Sequence, residues 1–447
     1  MKGPRFVAFG GIVLFWAFLS HINVNAQDNA FDANKLDSYF NAIQSQWFGS
    51  VCVSKDGKTV FQKSVGYADV DARIEASPDS RYLIGSISKM FTSYLVLSAV
   101  DEGLLSLSDN LSKYFPDSKI ENADSITIDN LLYHRSGIHD VFEGGDDYLE
   151  WNTKPHTREQ LLEKIASAKS DFTPNADCRY CNSGYVLLTF ILEKVYGKSF
   201  ADLLQERIAK PLNLQNTYYG GKIDPSENEC RSYTYEGDWN LEPETDLSIP
   251  QGAGALVSTP SDLTKFAYAL FTSEFGAKVV DRMKTVLGPL GRGLFPIPFY
   301  ARIGFGHTGG IDGFSSVLCH FDDDDVVVAV CSNASDFNQN DILIAILNTV
   351  YGIEYEIPSF TCVELSAEQL ESYTGVYSSE ALHMDLTITT NGKILYGQAT
   401  GQTVFALTSK SDGQFECLKA GLVIDIDVAE RKLTLYQGGG KFEFLKK

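Results

Sequence analysis

The chain has 447 residues, of which 44% are hydrophobic, enough for one large and one small folded domain. Its formal net charge of -21 excludes nucleic acid and anionic lipid as expected partners, because both carry charge of the same sign. Eight cysteines permit disulfides in an exported protein without requiring them.

The first predicted element is a secretory signal peptide at residues 1–26. Lys2 and Arg5 precede an apolar run, 6–19, and a small-residue cleavage site, 24–26, follows it. The run is too short to span a bilayer comfortably, and no later stretch approaches about 18 uninterrupted apolar residues. We therefore expect a bacterial chain that is periplasmic or secreted, with no integral membrane segment after cleavage.

Residues 27–357 are predicted to form an α+β domain in which helices flank an antiparallel sheet. Strand patterns occur as a hairpin at 48–66 and as a second hairpin made of 313–321 and 326–331. Helical patterns occur at about 87–102, 158–168, 183–196, 260–271 and 339–350. Because strands occupy both ends of this segment, we expect one sheet completed by both of its ends.

The helix at 87–102 begins directly after Ser86 and is apolar nearly all round, which is typical of a buried helix. Ser86 and Lys89 form an S-x-x-K motif, and positions three apart on a helix project from nearly the same face. A serine hydroxyl needs a base close by to act as a nucleophile near neutral pH. Either Lys89 is that base, with burial lowering its pKa, or its charge favours the phenolate of Tyr180, and the sequence leaves both open.

The loop ahead of the helix at 183–196 contains Tyr180 and Asn182, alternate residues that can face the same side. Cys178 and Cys181 form a single C-x-x-C around Tyr180. A zinc site would need a second pair of ligands nearby, and a redox site would need a βαβ context. We interpret these cysteines as incidental thiols or a local disulfide.

A third motif consists of His307, Thr308, Gly309 and Gly310, which are predicted to open a strand. Glycines at such a position let a substrate backbone approach closely, so this segment is a candidate for substrate binding. The N–H groups of Ser86 and Gly310 would then form an oxyanion hole. Together the three motifs indicate a nucleophile, a base and a strand edge that holds an acyl group.

Two regions outside these motifs predict no chemistry of their own. Asp322 to Asp325 separate two apolar strand patterns and are interpreted as a solvated hairpin turn, so no metal and no cofactor is predicted. From 364 to 447 the chain consists of roughly eight short strand patterns divided by turns such as Asn391-Gly392. That pattern predicts a small antiparallel barrel or sandwich, of which we favour a lipocalin-like β-barrel.

Four further strings carry a resemblance to a known family: Leu131-Leu-Tyr-His-Arg-Ser-Gly, Tyr180-Cys-Asn-Ser-Gly-Tyr, Gly252-Ala-Gly-Ala-Leu-Val-Ser-Thr-Pro-Ser-Asp and Gly306-His-Thr-Gly-Gly-Ile-Asp-Gly-Phe-Ser-Ser. Over about residues 32–352 the chain resembles the serine β-lactamase and penicillin-binding superfamily. The similarity is to its class C-like branch, which includes D-Ala-D-Ala carboxypeptidases, D-aminopeptidases and esterases. It implies an all-helical subdomain against the sheet, with the active site between them. The tail is similar to the small β domain appended to many such hydrolases.

The resemblance implies a role for each matched position. Ser86 would be the acylated nucleophile, Lys89 its proton partner and Tyr180 the general base and acid. Asn182 would bind the substrate amide. His307 stands where true β-lactamases and transpeptidases usually have a lysine that helps anchor the substrate carboxylate, which argues against efficient β-lactam turnover.

Three other positions, Asn175, His134 and His139, also bear on this pattern. Asn175 stands where the family often has glycine, in a loop that tolerates change. His134 and His139 permit a catalytic-triad interpretation, but His134 lies in a string that is structural in the family.

The leading hypothesis is an exported serine hydrolase that acts through a Ser86 acyl-enzyme on an ester, amide or peptide substrate. One alternative is an acyltransferase, in which an alcohol or amine intercepts the acyl-enzyme in place of water. The other is a penicillin-binding protein that becomes acylated without turnover. The expected partner is therefore a small molecule or peptide, and the oligomeric state is left open.

Overall fold

The computed structural model describes residues 31–142, 148–360, 363–402, 404–438 and 440–447. The signal peptide predicted at residues 1–26 lies outside the described residues. The chain divides into two compact units. The site unit comprises Phe48–Ser232 and Glu242–Asn333, and the barrel unit comprises the described residues up to Trp47, Tyr233–Leu241 and Ala334–Lys447.

The α-helices are α1 Ala33–Ile43, α2 Ser88–Asp101, α3 Ile128–Leu132, α4 Tyr148–Asn152, α5 Arg158–Ser167, α6 Asn182–Tyr196, α7 Phe200–Leu204, α8 Pro260–Thr272, α9 Val280–Lys284, α10 Gln339–Val350 and α11 Ala367–Tyr373. The helices expected at about 87–102, 158–168, 183–196, 260–271 and 339–350 are therefore present within one or two residues.

The strands are β1 Trp47–Lys55, β2 Lys58–Val65, β3 Tyr67–Asp69, β4 Ile74–Glu75, β5 Tyr82–Leu83, β6 Tyr218–Tyr219, β7 Tyr233–Tyr235, β8 Trp239–Leu241, β9 Leu256–Ser258, β10 Phe295–Phe299, β11 Arg302–Ile311, β12 Phe314–Phe321, β13 Val326–Ser335, β14 Gly375–Ser379, β15 Met384–Thr390, β16 Leu395–Ala399, β17 Phe405–Ser411, β18 Gln414–Cys417, β19 Leu422–Asp427, β20 Lys432–Gln437 and β21 Gly440–Lys446.

The site unit is built on an antiparallel sheet with the strand order β10-β11-β12-β13-β1-β2. The hairpin of β1 and β2 therefore continues the sheet formed by β10 to β13, as the strand patterns at both ends of the segment 27–357 predicted. Strand β13 is buried from Val326 to Ala334, so both of its faces are covered and its apolar run is continuous instead of alternating.

Helices α2 and α6 form the centre of the core of this unit. Helix α2 has buried side chains on every side, and Lys89 is among them with no solvent exposure. Helix α6 ends at Gly197, whose φ of 63° lies in the left-handed region that ends many helices. A charged side chain that has no route to water from such a helix must find its partners inside the protein.

Strand β10 was not predicted from the sequence. Its sequence, Phe-Pro-Ile-Pro-Phe, contains two prolines, which lack the N–H needed for a sheet interior. The structure accommodates them because β10 is an edge strand that pairs on one side only, with Arg302–Gly306 of β11.

The barrel unit contains a closed antiparallel barrel of eight strands, β14 to β21, in sequential order. Alternate residues point inward and fill its interior with apolar side chains, among them Leu395, Phe415 and Leu433. The predicted α+β fold with a C-terminal β-barrel is therefore confirmed. The domain boundaries at 357 and 364 stay predictions. In the described part of the chain, no helix is both long and apolar enough to cross a membrane.

Candidate active site

Ser86 lies in a single turn of 3₁₀ helix, Gly85–Ile87, directly before α2. The turn brings its backbone against strand β11: a Cβ atom on Gly85 would lie 2.8 Å from the nitrogen of Gly310, and Gly85 has a φ of 49°. Only glycine combines that contact with that conformation at low cost. Ser86 is partly exposed, so a substrate can reach its hydroxyl.

Lys89 lies one helical turn beyond Ser86, and its amine contacts three oxygen atoms. Nζ lies 2.9 Å from Ser86 Oγ and donates to Asn182 Oδ1 and to the carbonyl oxygen of Ala253, each at 2.7 Å. Burial lowers the pKa of Lys89 to about 7, against the opposing charge of Asp140. A substantial fraction of this amine is therefore neutral near pH 7 and can accept a proton.

Tyr180 completes the group around the hydroxyl of Ser86. Its ring lies 4.9 Å from Lys89 Nζ and stacks on His134 at 4.4 Å between ring centroids. The phenol oxygen is buried and has no hydrogen bond of regular geometry within the described part of the chain. Burial raises the pKa of Tyr180 well above its ordinary value, while the neighbouring Ser86 hydroxyl acts in the opposite direction. Tyr180 is therefore a protonated phenol at neutral pH.

His307 lies in the middle of β11, although the sequence predicted that it opens a strand. The difference arises because the unpredicted β10 extends the hairpin at its N-terminal end. The imidazole is buried, 4.1 Å from the ring of Phe295 and 6.1 Å from that of Tyr180 between centroids. Burial lowers the pKa of His307 to about 3, so the ring is neutral, and its Nε2 lacks a partner among the residues described.

The segment 307–311 forms the edge of β11 that faces the Ser86 turn. Strand β10 pairs only as far as Gly306, while β12 continues to pair on the other side up to Ile311. At Gly309, a Cβ atom would lie 2.0 Å from the carbonyl oxygen of Ile84, so a side chain there would push the strand off the turn. Thr308, Gly309 and Gly310 are all accessible to solvent. The edge is therefore open to an extended substrate, and the role of this segment in substrate binding stays a prediction.

Sequence reasoning missed two contributors to this site. The carbonyl of Ala253 accepts from Lys89, and the buried carboxylate of Asp140 accepts from Asn182. The string that contains Ala253 carried part of the family resemblance, but a backbone carbonyl has no side-chain signature. Asp140 follows another such string closely and could have been noticed as a polar residue in an otherwise apolar stretch.

The structure does not bring His134 and His139 together as triad partners of Ser86. His134 accepts a hydrogen bond from the backbone N–H of Cys181 at 3.0 Å and holds the loop that carries Tyr180. His139 pairs with Asp171 near the surface. The Cys178 and Cys181 thiols are free, so the local disulfide is absent.

The acidic turn is a short 3₁₀ segment, Asp322–Asp324, between β12 and β13. Its carboxylates bond to side chains of this unit: His320 contacts Asp322 at 2.8 Å and Asp325 at 3.0 Å. Over the described ranges, no group of three or more His, Cys, Asp or Glu side chains could hold a metal ion.

The structure therefore places a hydroxyl, an amine with a pKa of about 7 and a buried phenol close together at one strand edge. An amine with a pKa near 7 can take the proton of a serine hydroxyl, and the phenol can donate one to a departing group. Backbone N–H groups at the start of a helix and on an open strand edge can stabilise a developing oxyanion. This combination suits acyl transfer.

Comparison with known proteins agrees with this chemistry. The family model described as Beta-lactamase matches residues 43–350. Penicillin-binding protein 4* of Bacillus subtilis (strain 168) is 25% identical over 440 residues, which cover 90% of this chain and 95% of that protein. Teichoic acid D-alanine hydrolase of Staphylococcus aureus is 28% identical over 324 residues, which cover 69% of this chain and 77% of that protein.

Among solved structures, the octameric penicillin-binding protein homologue from Pyrococcus abyssi superposes with a TM-score of 0.62. The match covers 92% of this chain and 100% of that chain at 24% identity, so it supports the fold alone.

Proposed function

This chain belongs to the Beta-lactamase family, and from that premise we propose that it is a serine hydrolase that forms an acyl-enzyme at Ser86 on an ester, amide or peptide substrate. The observation that carries the proposal is the environment of Lys89. Its buried amine lies 2.9 Å from Ser86 Oγ and has a pKa lowered to about 7. Buried amines with such pKa values serve as bases near neutral pH.

In the acylation step, neutral Lys89 takes the proton of Ser86, and Oγ forms a bond to the substrate carbonyl carbon. The negative charge that develops on the carbonyl oxygen is stabilised by the backbone N–H groups of Ser86 and Gly310. Asn182 and the 307–310 edge hold the acyl part of the substrate. The bond to the leaving group then breaks, and that group departs with a proton.

Tyr180 supplies the proton to the leaving group. Its phenol is protonated at neutral pH, and its oxygen is free of other partners among the described residues, so it can donate without losing an existing hydrogen bond. The proton accepted by Lys89 then passes to the oxygen of Tyr180, which restores both the phenol and the neutral amine. In the second step a water molecule attacks the ester carbon. The same groups then transfer protons in the opposite order, and the acid is released.

The relatives narrow the substrate class. Their names describe a penicillin-binding protein and a teichoic acid D-alanine hydrolase. We therefore place the substrate among D-alanyl or related D-amino acyl esters, amides and short peptides of the bacterial envelope. The protein is accordingly located outside the cytoplasm, in agreement with the signal peptide predicted at residues 1–26.

The proposal is tested with a panel of purified substrates: p-nitrophenyl acetate, D-alanine p-nitroanilide, a D-Ala-D-Ala peptide and nitrocefin. We expect hydrolysis of the ester and of a D-amino substrate. Nitrocefin turnover should be slower than ester turnover by about 100-fold or more, because neutral His307 provides no charge for the β-lactam carboxylate. The measurement is initial rate at matched enzyme concentration, with an acyl adduct sought by mass spectrometry.

Other outcomes of the same panel distinguish the alternatives. Product that partitions to an added alcohol or amine in preference to water indicates an acyltransferase. A stoichiometric, long-lived adduct with a fluorescent β-lactam and no turnover indicates a penicillin-binding protein. Absence of any covalent adduct or product across the panel contradicts the proposal.

The Tyr180→Phe variant tests the role of the phenol. With D-alanine p-nitroanilide, whose leaving group needs a proton, we expect kcat/KM to fall by about 10²- to 10⁴-fold. With p-nitrophenyl acetate, whose leaving group departs as an anion, the loss should be much smaller. Because the hydroxyl lacks a regular hydrogen bond within the described residues, Tm should stay close to the unsubstituted value.

Tyr94→Phe is the matched control for this comparison, since the Tyr94 hydroxyl donates to the backbone carbonyl of Phe275, outside the site. It should leave both substrates unaffected. Equal losses on the two substrates in Tyr180→Phe would show that the phenol does not protonate the leaving group.

A further inference from the structure

Asp140 is the buried carboxylate behind Asn182. The residue is 3% exposed and accepts three N–H groups: the backbone N–H and the side-chain amide of Asn182, each at 2.8 Å, and the backbone N–H of Phe142 at 3.1 Å. Burial raises the pKa of Asp140, while these N–H groups and the charge of Lys89 act in the opposite direction and favour the carboxylate.

This contact determines which way round the Asn182 amide points. Its Nδ2 donates to Asp140, so its Oδ1 faces Lys89 Nζ at 2.7 Å. If the amide turned over, Oδ1 would face the carboxylate and Nδ2 would face the amine. Both contacts would then lack a complementary partner, which is costly for buried groups.

The fixed amide in turn determines the direction of the Lys89 lone pair. A neutral amine has two N–H groups and one lone pair. Asn182 Oδ1 and the carbonyl oxygen of Ala253 can only accept, so they take both N–H groups. The lone pair therefore points to Ser86 Oγ at 2.9 Å. Of the three groups that contact Lys89 Nζ, the serine hydroxyl is the only one that can donate a proton.

We infer that Asp140 is a positioning residue that, through Asn182, directs the lone pair of Lys89 at the Ser86 hydroxyl. The inference rests on the proposed function, in which Lys89 is the base. Asp140 does not contact the reacting atoms, so its contribution is to orientation and to the local electric field. A misplacement of about 1 Å in such a group costs roughly 100-fold in rate.

The charge of Asp140 has a second effect on the same amine. Its carboxylate raises the pKa of Lys89 and so opposes the larger lowering by burial. The titratable groups that surround Lys89 from the elements packed against it are Tyr180, Tyr185, Asp140, Cys181, His134 and His307. Within the part of the chain that the structure describes, Asp140 is the one carboxylate in this group, so its removal should shift the pH dependence of the reaction.

The test is Asp140→Asn in the full chain, assayed with p-nitrophenyl acetate from pH 5 to 9. We expect kcat to fall by about 10- to 100-fold while KM stays within about threefold. The acid limb of kcat/KM should move to lower pH by about one unit, because the amine loses a neighbouring negative charge. Asp262→Asn is the matched control, since Asp262 is 2% exposed and accepts a backbone N–H from Asn216 away from the site. It should lower Tm and leave the acid limb in place.

Asp140→Glu provides a second measurement should the first variant not fold. It keeps the charge but cannot accept both N–H groups of Asn182 in the same geometry. The acid limb of its kcat/KM profile should stay at the pH found for the unsubstituted protein, while kcat falls. Unchanged kcat and limb in folded Asp140→Asn, or unchanged kcat in Asp140→Glu, would overturn the inference while leaving the hydrolase proposal standing. Hydrolysis retained by Ser86→Ala would instead overturn the proposed function itself.

Discussion

Replacing Ser86 with alanine is expected to lower kcat/KM for p-nitrophenyl acetate and for a D-amino substrate by about 10⁴-fold or more. The substitution removes the hydroxyl oxygen that lies 2.9 Å from the amine of Lys89, and with it the acyl-enzyme. The mass gain produced by a fluorophosphonate serine probe should disappear in the same variant. Both measurements are made on protein whose circular dichroism and Tm match those of the unsubstituted chain.

Ser98→Ala is the matched control for this variant. Ser98 lies on the same helix, α2, and its hydroxyl donates to the carbonyl of Tyr94 without contact to the site. It should retain full activity and full probe labelling. If Ser86→Ala keeps its label or its esterase activity, another residue is the nucleophile and the assignment of the site is wrong.

Local rules were enough to predict that the side chains of Ser86 and Lys89 meet. Ser86 and Lys89 are three residues apart at the start of an apolar helix, and the helix geometry alone brings their side chains to one face. The β-barrel was likewise predictable, because its strands follow each other in sequence and its turns contain glycine and asparagine. Both predictions depend on contacts between residues that are close in the chain.

The contacts that organise the site connect distant segments, and these were not predictable. The carbonyl of Ala253 reaches Lys89 over 164 positions, and Asp140 reaches Asn182 over 42. Neither a backbone oxygen nor a single buried carboxylate produces a periodic pattern in the sequence. The three motifs together indicated that Tyr180 and His307 group with Ser86, and the resemblance to a family supported this, since spacing alone could not place three separate segments around one cleft. Strand β10 was missed because its prolines are incompatible with a strand except at a sheet edge.

The pH dependence of the reaction should identify which group is the base. With the pKa of Lys89 lowered to about 7, the neutral amine is the minor form below that pH and the major form above it. A base acts in its deprotonated form, so kcat/KM should rise with pH, reach half its plateau near pH 7 and be about 100-fold lower at pH 5. The alternative base, the phenolate of Tyr180, is not populated in this range because burial raises the pKa of that phenol well above its ordinary value.

Lys89→Arg separates a base from a mere positive charge. Arginine keeps the charge that a Tyr180 phenolate would need, but it cannot lose its proton in a protein. We expect both Lys89→Arg and Lys89→Met to lose about 10³-fold or more in kcat/KM, which is the usual contribution of a general base combined with its nucleophile. Lys194→Met is the control, since this part-buried lysine donates to the carbonyl of Tyr114 outside the site. Substantial activity in Lys89→Arg alone would transfer the role of base to Tyr180, because arginine keeps the positive charge but cannot accept a proton.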